Sequence, residues 1–234
     1  MSDFISIYMG RNKKGNNMKV SLLSITPDAE KLIERCTRIC YDSADKITEE
    51  SYKTFLPKTI KSGHVSALSH AMASFHIEEI SRACSHQIVR HSHLRYLQKS
   101  QRYCTEKSYN AVCPPKIIEA NKRYIESGND GAGPLDIFYD ATNVIYDYNI
   151  LLSHGIPKED ARYILTNAAF TEIIISGSLQ AWYDFLRLRL SRRAQWEIRD
   201  VAKEIYKILN EQCPHIFTKE ILEHQVTINL DLDE

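Results

Sequence analysis

No apolar run in the 234 residues reaches the roughly 18 that a membrane-crossing helix needs, so no membrane partner is expected. The N-terminal stretch MSDFISIYMGRNKKGNNMKV lacks a continuous apolar segment and a small-residue cleavage site, which leaves a cytoplasmic location as the expectation. The six cysteines, Cys36, Cys40, Cys84, Cys104, Cys113 and Cys213, show no C-x-x-C pairing, which argues against structural zinc or a disulfide framework and for reduced thiols. Neither sign of charge is in excess: Lys plus Arg and Asp plus Glu both number 30. That balance excludes a protein built on bulk attraction to nucleic acid polymers or anionic membranes. With 43% hydrophobic and 26% charged residues, global disorder and coiled coil are also disfavoured.

Residues 1–17 are polar and rich in Gly, Asn and Lys, and are read as a flexible extension before a domain covering 18–234. A β-like run opens at Met18, and helical spacing follows over 28–40 and 47–62, the second interrupted by Pro57. Alternation over 70–77 predicts a half-buried strand, leading directly into a helix over 80–91. SGNDGAGP (127–134) is a breaker between expected helices at 115–126 and 135–153. A helix at 158–166, a strand at 169–176 and helices at 178–190 and 194–211 complete the reading. Strands and helices without regular βαβ alternation give an α+β single domain with long helices flanking the sheet.

Residues 80–105 contain no Asp or Glu, yet hold Arg82, Arg90, Arg95, Lys99 and Arg102 together with His86, His91 and His93. Guanidiniums interleaved with Tyr96, Gln98, Ser100, Gln101 and Tyr103 suit a phosphate held by bidentate contacts and a flat heterocycle held by stacking and amide bonds. A solvated basic face accounts for the same charges. A zinc site on the three histidines lacks an acidic or thiolate partner at matching spacing, so no metal is expected.

Arg90-His91-Ser92, seven residues, then Ser100-Gln101-Arg102 resembles the Arg-His-Arg, seven residues, Ser-x-Arg signature of flavin-dependent thymidylate synthases. The preceding SGHVSALSHAMASFHIEEISRACSHQIVRH is similar to that family's Gly-His-x-Ser-x-x-Glu-His segment. GIPKEDARYIL, EIIISGS, LQAWYDFLRLR and AQWEI follow in the family's order, so the resemblance spans about 18–220. It implies a homotetramer with sites between subunits and non-covalent FAD. The implied reaction is reductive methylation of dUMP, with methylene-tetrahydrofolate as carbon donor and NADPH as reductant.

By the same resemblance, dUMP would be held by Gln87, Arg90, Gln98, Ser100, Arg102, Arg162 and Arg189. Arg189 would also be catalytic, stabilising the uracil as the anion left by loss of its imide proton. Taken singly, Arg162 and Arg189 also read as salt-bridging residues on amphipathic helices. FAD positions map to Ser66, Arg90, His91, Ser92, Gln98, Ser178, Gln180 and Asp184. The chain departs from the family pattern at Ser92, Ser69, Ser178, Gln180 and Asp184. Two of these departures remove guanidiniums, which lowers the expected flavin affinity by about a hundredfold or more. The alternatives are another one-carbon transfer to a pyrimidine nucleotide, such as hydroxymethylation, and a non-catalytic nucleotide-binding homologue.

Overall fold

The computed structural model describes residues 18–106 and 110–223, so the extension read at 1–17 lies outside the described residues. Four strands, β1 (Lys19–Ile25), β2 (Met72–Ser81), β3 (Arg95–Gln98) and β4 (Phe170–Ser178), form one antiparallel sheet in the order β1-β2-β4-β3. The α-helices are α1 (Ala29–Ile39), α2 (Tyr52–Lys61), α3 (Arg82–Ile88), α4 (Pro115–Glu126), α5 (Pro134–Thr142) and α6 (Ile145–Ser153). They continue with α7 (Lys158–Ala161), α8 (Leu179–Arg189), α9 (Trp196–Gln212) and α10 (Lys219–Glu223). The architecture is α+β, as the residue pattern implies.

The chain divides into two compact units. One comprises Glu78–His86 and Gln98–Ile173 with the chain up to Lys19; the other comprises Val20–Ile77, Gln87–Leu97 and Ile174–Glu234.

In the first unit, α4 and α5 flank the SGNDGAGP breaker. Asn121 on α4 accepts a hydrogen bond from Leu135 N at 3.1 Å, and Asp136 accepts one from Gly133 N at 2.9 Å, so two donors at the start of α5 are satisfied. A Cβ on Gly133 would stand 2.5 Å from Asn121 Oδ1, so a larger residue there has to displace the side chain that receives Leu135 N. The single helix expected at 135–153 is in fact α5 and α6, separated at Asn143 and Val144. Thr142 turns its hydroxyl onto Phe138 O at 2.9 Å, and a β-branched, Asn-containing junction favours such a break. The helix expected at 158–166 likewise ends early, as α7 followed by a 3-10 turn over Arg162–Ile164.

In the second unit, alternation along β2 buries Ala73, Phe75 and Ile77, and α8 lays Leu179, Trp182, Phe185 and Leu186 into the same core. Trp182 is fully buried and donates its indole N–H to Ala73 O at 3.1 Å. Its ring meets Phe75 edge-on at 5.0 Å between centroids and Phe185 at 5.7 Å, a geometry that favours aromatic pairs. Helix α9 adds Ile198, Val201, Ile205 and Leu209. A turn after α3 leads into β3, a strand too short to carry a pattern in the sequence; Leu94 just before it packs so closely that a Cβ on Gly177 would lie 2.3 Å from Leu94 Cδ2.

Trp182→Phe removes the indole donor to Ala73 O and opens a gap beside Phe75. The expected loss is about 2–4 kcal/mol of unfolding free energy, read by urea denaturation with an unchanged m-value.

Candidate functional site

The acid-free segment contributes side chains to both units. In the first, Gln98 at the end of β3 donates from its amide to Ser85 Oγ at 2.8 Å and Thr171 Oγ1 at 3.1 Å, so its carbonyl oxygen is what it has left to offer a ligand. Ser100 Oγ accepts from Arg102 N at 3.3 Å and shapes the turn that presents Arg102. Arg102 is exposed; its Nε donates to Glu159 Oε2 at 3.1 Å, and its guanidinium lies 5.5 Å from the Tyr103 ring centroid. Arg162, in the 3-10 turn after α7, donates from Nε to Glu159 O at 3.0 Å. Glu159 therefore touches two of the cations that the family resemblance maps to dUMP, Arg102 through its carboxylate and Arg162 through its backbone.

Deeper in the same unit, Arg82 donates to Lys99 O at 2.8 Å, while its Nε is buried with no partner among the described residues. Burial lowers the Arg82 pKa; the Glu106 carboxylate opposes that shift, and the Arg162 charge reinforces it. Arg82 belongs to the basic stretch in the sequence, but its place under Arg162 is a fact of the fold alone.

In the second unit, Arg189 is the last residue of α8. It donates from Nε to His91 Nε2 at 2.9 Å and from Nη2 to Gln87 O at 3.4 Å. The His91 ring packs edge-on against Phe185 at 4.9 Å. Burial, with the Arg189 charge adding to it, pushes the imidazole down to about 4, so it is neutral at physiological pH. Tyr96 OH reaches His91 O at 2.7 Å and Ile88 O at 2.9 Å, tying the turn that carries His91. Gln87 Nε2 lies 3.5 Å from Gln195 Oε1, and Gln195 caps α9 by accepting from Glu197 N and Ile198 N. Gln195 is a neighbour that the sequence reading missed; a Gln two residues before a helical Glu carries only a weak capping signal.

The remaining flavin-mapped positions also fall in the second unit. Arg90 is exposed, and its side chain makes no hydrogen bond among the described residues. Ser66 is exposed in a 3-10 turn, where Ser69 donates to Ser66 O. Ser178 serves as the N-cap of α8, accepting from Ala181 N at 3.2 Å; Gln180 follows it, half-buried. Burial raises the Asp184 pKa against the pull of Arg187 and His93. At Ser92, where the family signature has Arg, the Ser92 carbonyl accepts from Arg95 Nη1 at 3.1 Å, so a guanidinium still stands beside that position. The uncommitted Arg90 guanidinium, with the serine hydroxyls and the Gln180 amide, forms a donor set that fits a phosphate-bearing cofactor.

Residues 21–215 match the family model described as thymidylate synthase complementing protein. The chain is 38% identical over 209 residues to the flavin-dependent thymidylate synthase of Geobacter sulfurreducens, covering 86% of this chain and 85% of that one. It is 33% identical to the enzyme of that name from Sulfolobus acidocaldarius, with 86% and 75% covered, and 31% identical to that from Clostridium tetani, with 87% of each covered. The chain belongs to the flavin-dependent thymidylate synthase family. No helix among the described residues of this family member is long and apolar enough to cross a membrane.

Two predictions follow from this geometry. His91 has a folded-state pKa of about 4 against an ordinary 6.5, so the unfolded chain takes up the extra proton first as pH falls. Stability contributed by neutral His91 is complete above pH 6.5 and declines towards pH 4; thermal unfolding temperatures should fall across that window, less steeply in His91→Gln. Glu159→Gln takes a competing carboxylate off Arg102, and affinity for inorganic phosphate by calorimetry should rise about threefold or more. Because the ion pair is exposed, the unfolding free energy of that variant should stay within about 0.5 kcal/mol of wild type.

Proposed function

We propose that this protein catalyses the flavin-dependent reductive methylation of dUMP to dTMP, with methylene-tetrahydrofolate as carbon donor and NADPH as reductant. The observation that carries the reading is Arg189: a guanidinium held at a helix end, where it donates to His91 Nε2 and to the Gln87 carbonyl. A pure nucleotide binder has no need of a fixed cation beside the base, whereas an enzyme that ionises the base does. The names of the relatives favour methylation over the alternatives of hydroxymethylation or a non-catalytic homologue.

In this reading Arg102 and Arg162 neutralise the nucleotide phosphate, with Ser100 and Arg90 as further donors, while Gln87 and Gln98 offer amide groups to ring edges. Arg189 stabilises the negative charge that appears on the uracil when its imide proton leaves, which makes the adjacent ring carbon more nucleophilic. No cysteine is called on as nucleophile. The buried thiol of Cys213 is pushed up to about 12 and that of Cys113 to about 11, so neither is a thiolate at neutral pH. Bound FAD supplies the redox chemistry, and Ser66, His91, Ser92, Ser178, Gln180 and Asp184 are the positions that the family resemblance offers it. A homotetramer with sites between subunits, acting in the cytoplasm on a small nucleotide, completes the proposal.

The purified protein should be yellow or turn yellow on titration with FAD, and should convert dUMP to dTMP. A colourless protein that binds dUMP but no flavin at high micromolar FAD overturns the reading. Arg189→Ala should retain flavin and lose about a hundredfold or more in product formation, since it removes charge stabilisation at the base.

A further inference from the structure

Two exposed arginines flank the turn that joins α3 to β3: Arg90 just after the helix and Arg95 at the start of the strand, with no Asp or Glu between them. Arg95 turns back over that segment. Its Nη1 donates to Ser92 O at 3.1 Å and to Leu94 O at 3.2 Å. The guanidinium is thereby brought to the backbone of residue 92, where the family signature has arginine and this chain has serine. In the sequence a cation is missing at that position; in the fold another, three residues further on, is directed back to it.

Both acceptors are neutral carbonyls, and Arg95 has no carboxylate partner among the described residues. Arg102 and Arg38, by contrast, are paired with Glu159 and Glu34. A carbonyl orients a guanidinium without cancelling its charge. Because Nη1 makes both bonds, the edge formed by Nε and Nη2 is left for a ligand, and its two parallel N–H donors match two oxygens of a phosphate.

The turn itself is held in place. Leu94 is buried and its N–H donates to His91 O at 3.1 Å, while Tyr96 OH donates to His91 O at 2.7 Å and to Ile88 O at 2.9 Å. A long exposed side chain loses rotamer freedom when it grips an anion; two backbone bonds already restrict Arg95, so less is lost on binding.

We propose that Arg95 is a phosphate-binding residue for the flavin dinucleotide, supplying from position 95 the guanidinium that position 92 lacks. The proposal rests on the flavin-dependent function argued above and gives Arg95 a contact that the family resemblance assigns to residue 92.

Moving the charge back tests it. Affinity for FAD is measured by fluorescence titration and affinity for dUMP by calorimetry on the full-length protein, in wild type, in Arg95→Ser, and in Arg95→Ser combined with Ser92→Arg. Arg95→Ser should bind FAD about tenfold or more weakly, with dUMP affinity within about twofold of wild type. Its FAD affinity should also fall less steeply with added NaCl, since the oxidised flavin ring is neutral and the lost attraction is to the phosphates. The double variant should recover FAD affinity to within about threefold of wild type. Ser92→Arg does not rebuild the Arg95 bonds to the turn, so recovery reports the charge and not the turn.

Unchanged FAD affinity in Arg95→Ser overturns the proposal, as does a double variant no better than the single one, or a loss that falls on dUMP instead of FAD. If Arg95→Ser does not fold, the wild-type protein decides: FAD should protect Arg95 from modification by phenylglyoxal, read by mass spectrometry, and equal modification with and without FAD overturns the proposal. Wild-type protein that binds no FAD overturns the proposal together with the functional reading. Wild-type protein that binds FAD and forms dTMP while Arg95→Ser binds FAD equally well overturns the proposal alone.

Discussion

The geometry of the second unit depends on how α8 is anchored. A line of edge-on rings runs from Phe75 on β2 through Trp182 and Phe185 on α8 to His91 on the turn after α3. Its inner end is fully buried, with the Trp182 indole bonded to a strand carbonyl, and its outer end holds a guanidinium. Close-packed aromatic side chains leave few alternative rotamers, so core packing sets where the end of α8, and with it Arg189, stands. The Ser178 cap fixes the start of the helix, and the His91 contact fixes the residue at its end.

The other cations are handled differently. Arg102 is paired with Glu159 on the surface, and Lys99 lies 3.7 Å from Glu106. The Arg102–Glu159 pair is exposed, and such pairs are weak and exchange readily with a better anion, which suits a residue that must receive a phosphate and let it go. Arg189 is half-buried at the end of α8 and donates to the His91 imidazole and the Gln87 carbonyl. The zero net charge of the chain thus conceals cations in different settings, one in an exposed, exchangeable pair and one held against the packed end of a helix.

The departures from the family signature read differently once the side chains are placed. Ser92 has lost the expected guanidinium, but Arg95 reaches its carbonyl. Ser178 is occupied as a helix cap, and Ser69 bonds the carbonyl of Ser66 in the same 3-10 turn. Asp184 is flanked by Arg187 and His93, so its charge is offset within its own helix and the neighbouring turn. These substitutions changed which residues supply charge locally without removing all of it.

Periodicity along the chain determined the elements whose pattern is long: β2 and β4 by alternation, and α1, α4, α8 and α9 by apolar spacing, with α4 read to the residue. The acid-free segment and the signature spacing likewise marked Arg90 and Arg102, whereas Arg162 and Arg189 were marked only by the family resemblance. Short or composite elements were not legible. The four residues of β3 are too few to show a period, and the break between α5 and α6 depends on a hydroxyl turning back on the backbone. Partnership was illegible for a different reason. Arg189 and His91 are 98 residues apart, and Arg102 and Glu159 are 57 apart; no local pattern encodes such pairs, because only the packing of helices on the sheet brings them within hydrogen-bonding distance. The sequence by itself determined which charges the protein carries, and the tertiary structure decided which are neutralised, because that depends on distance and burial.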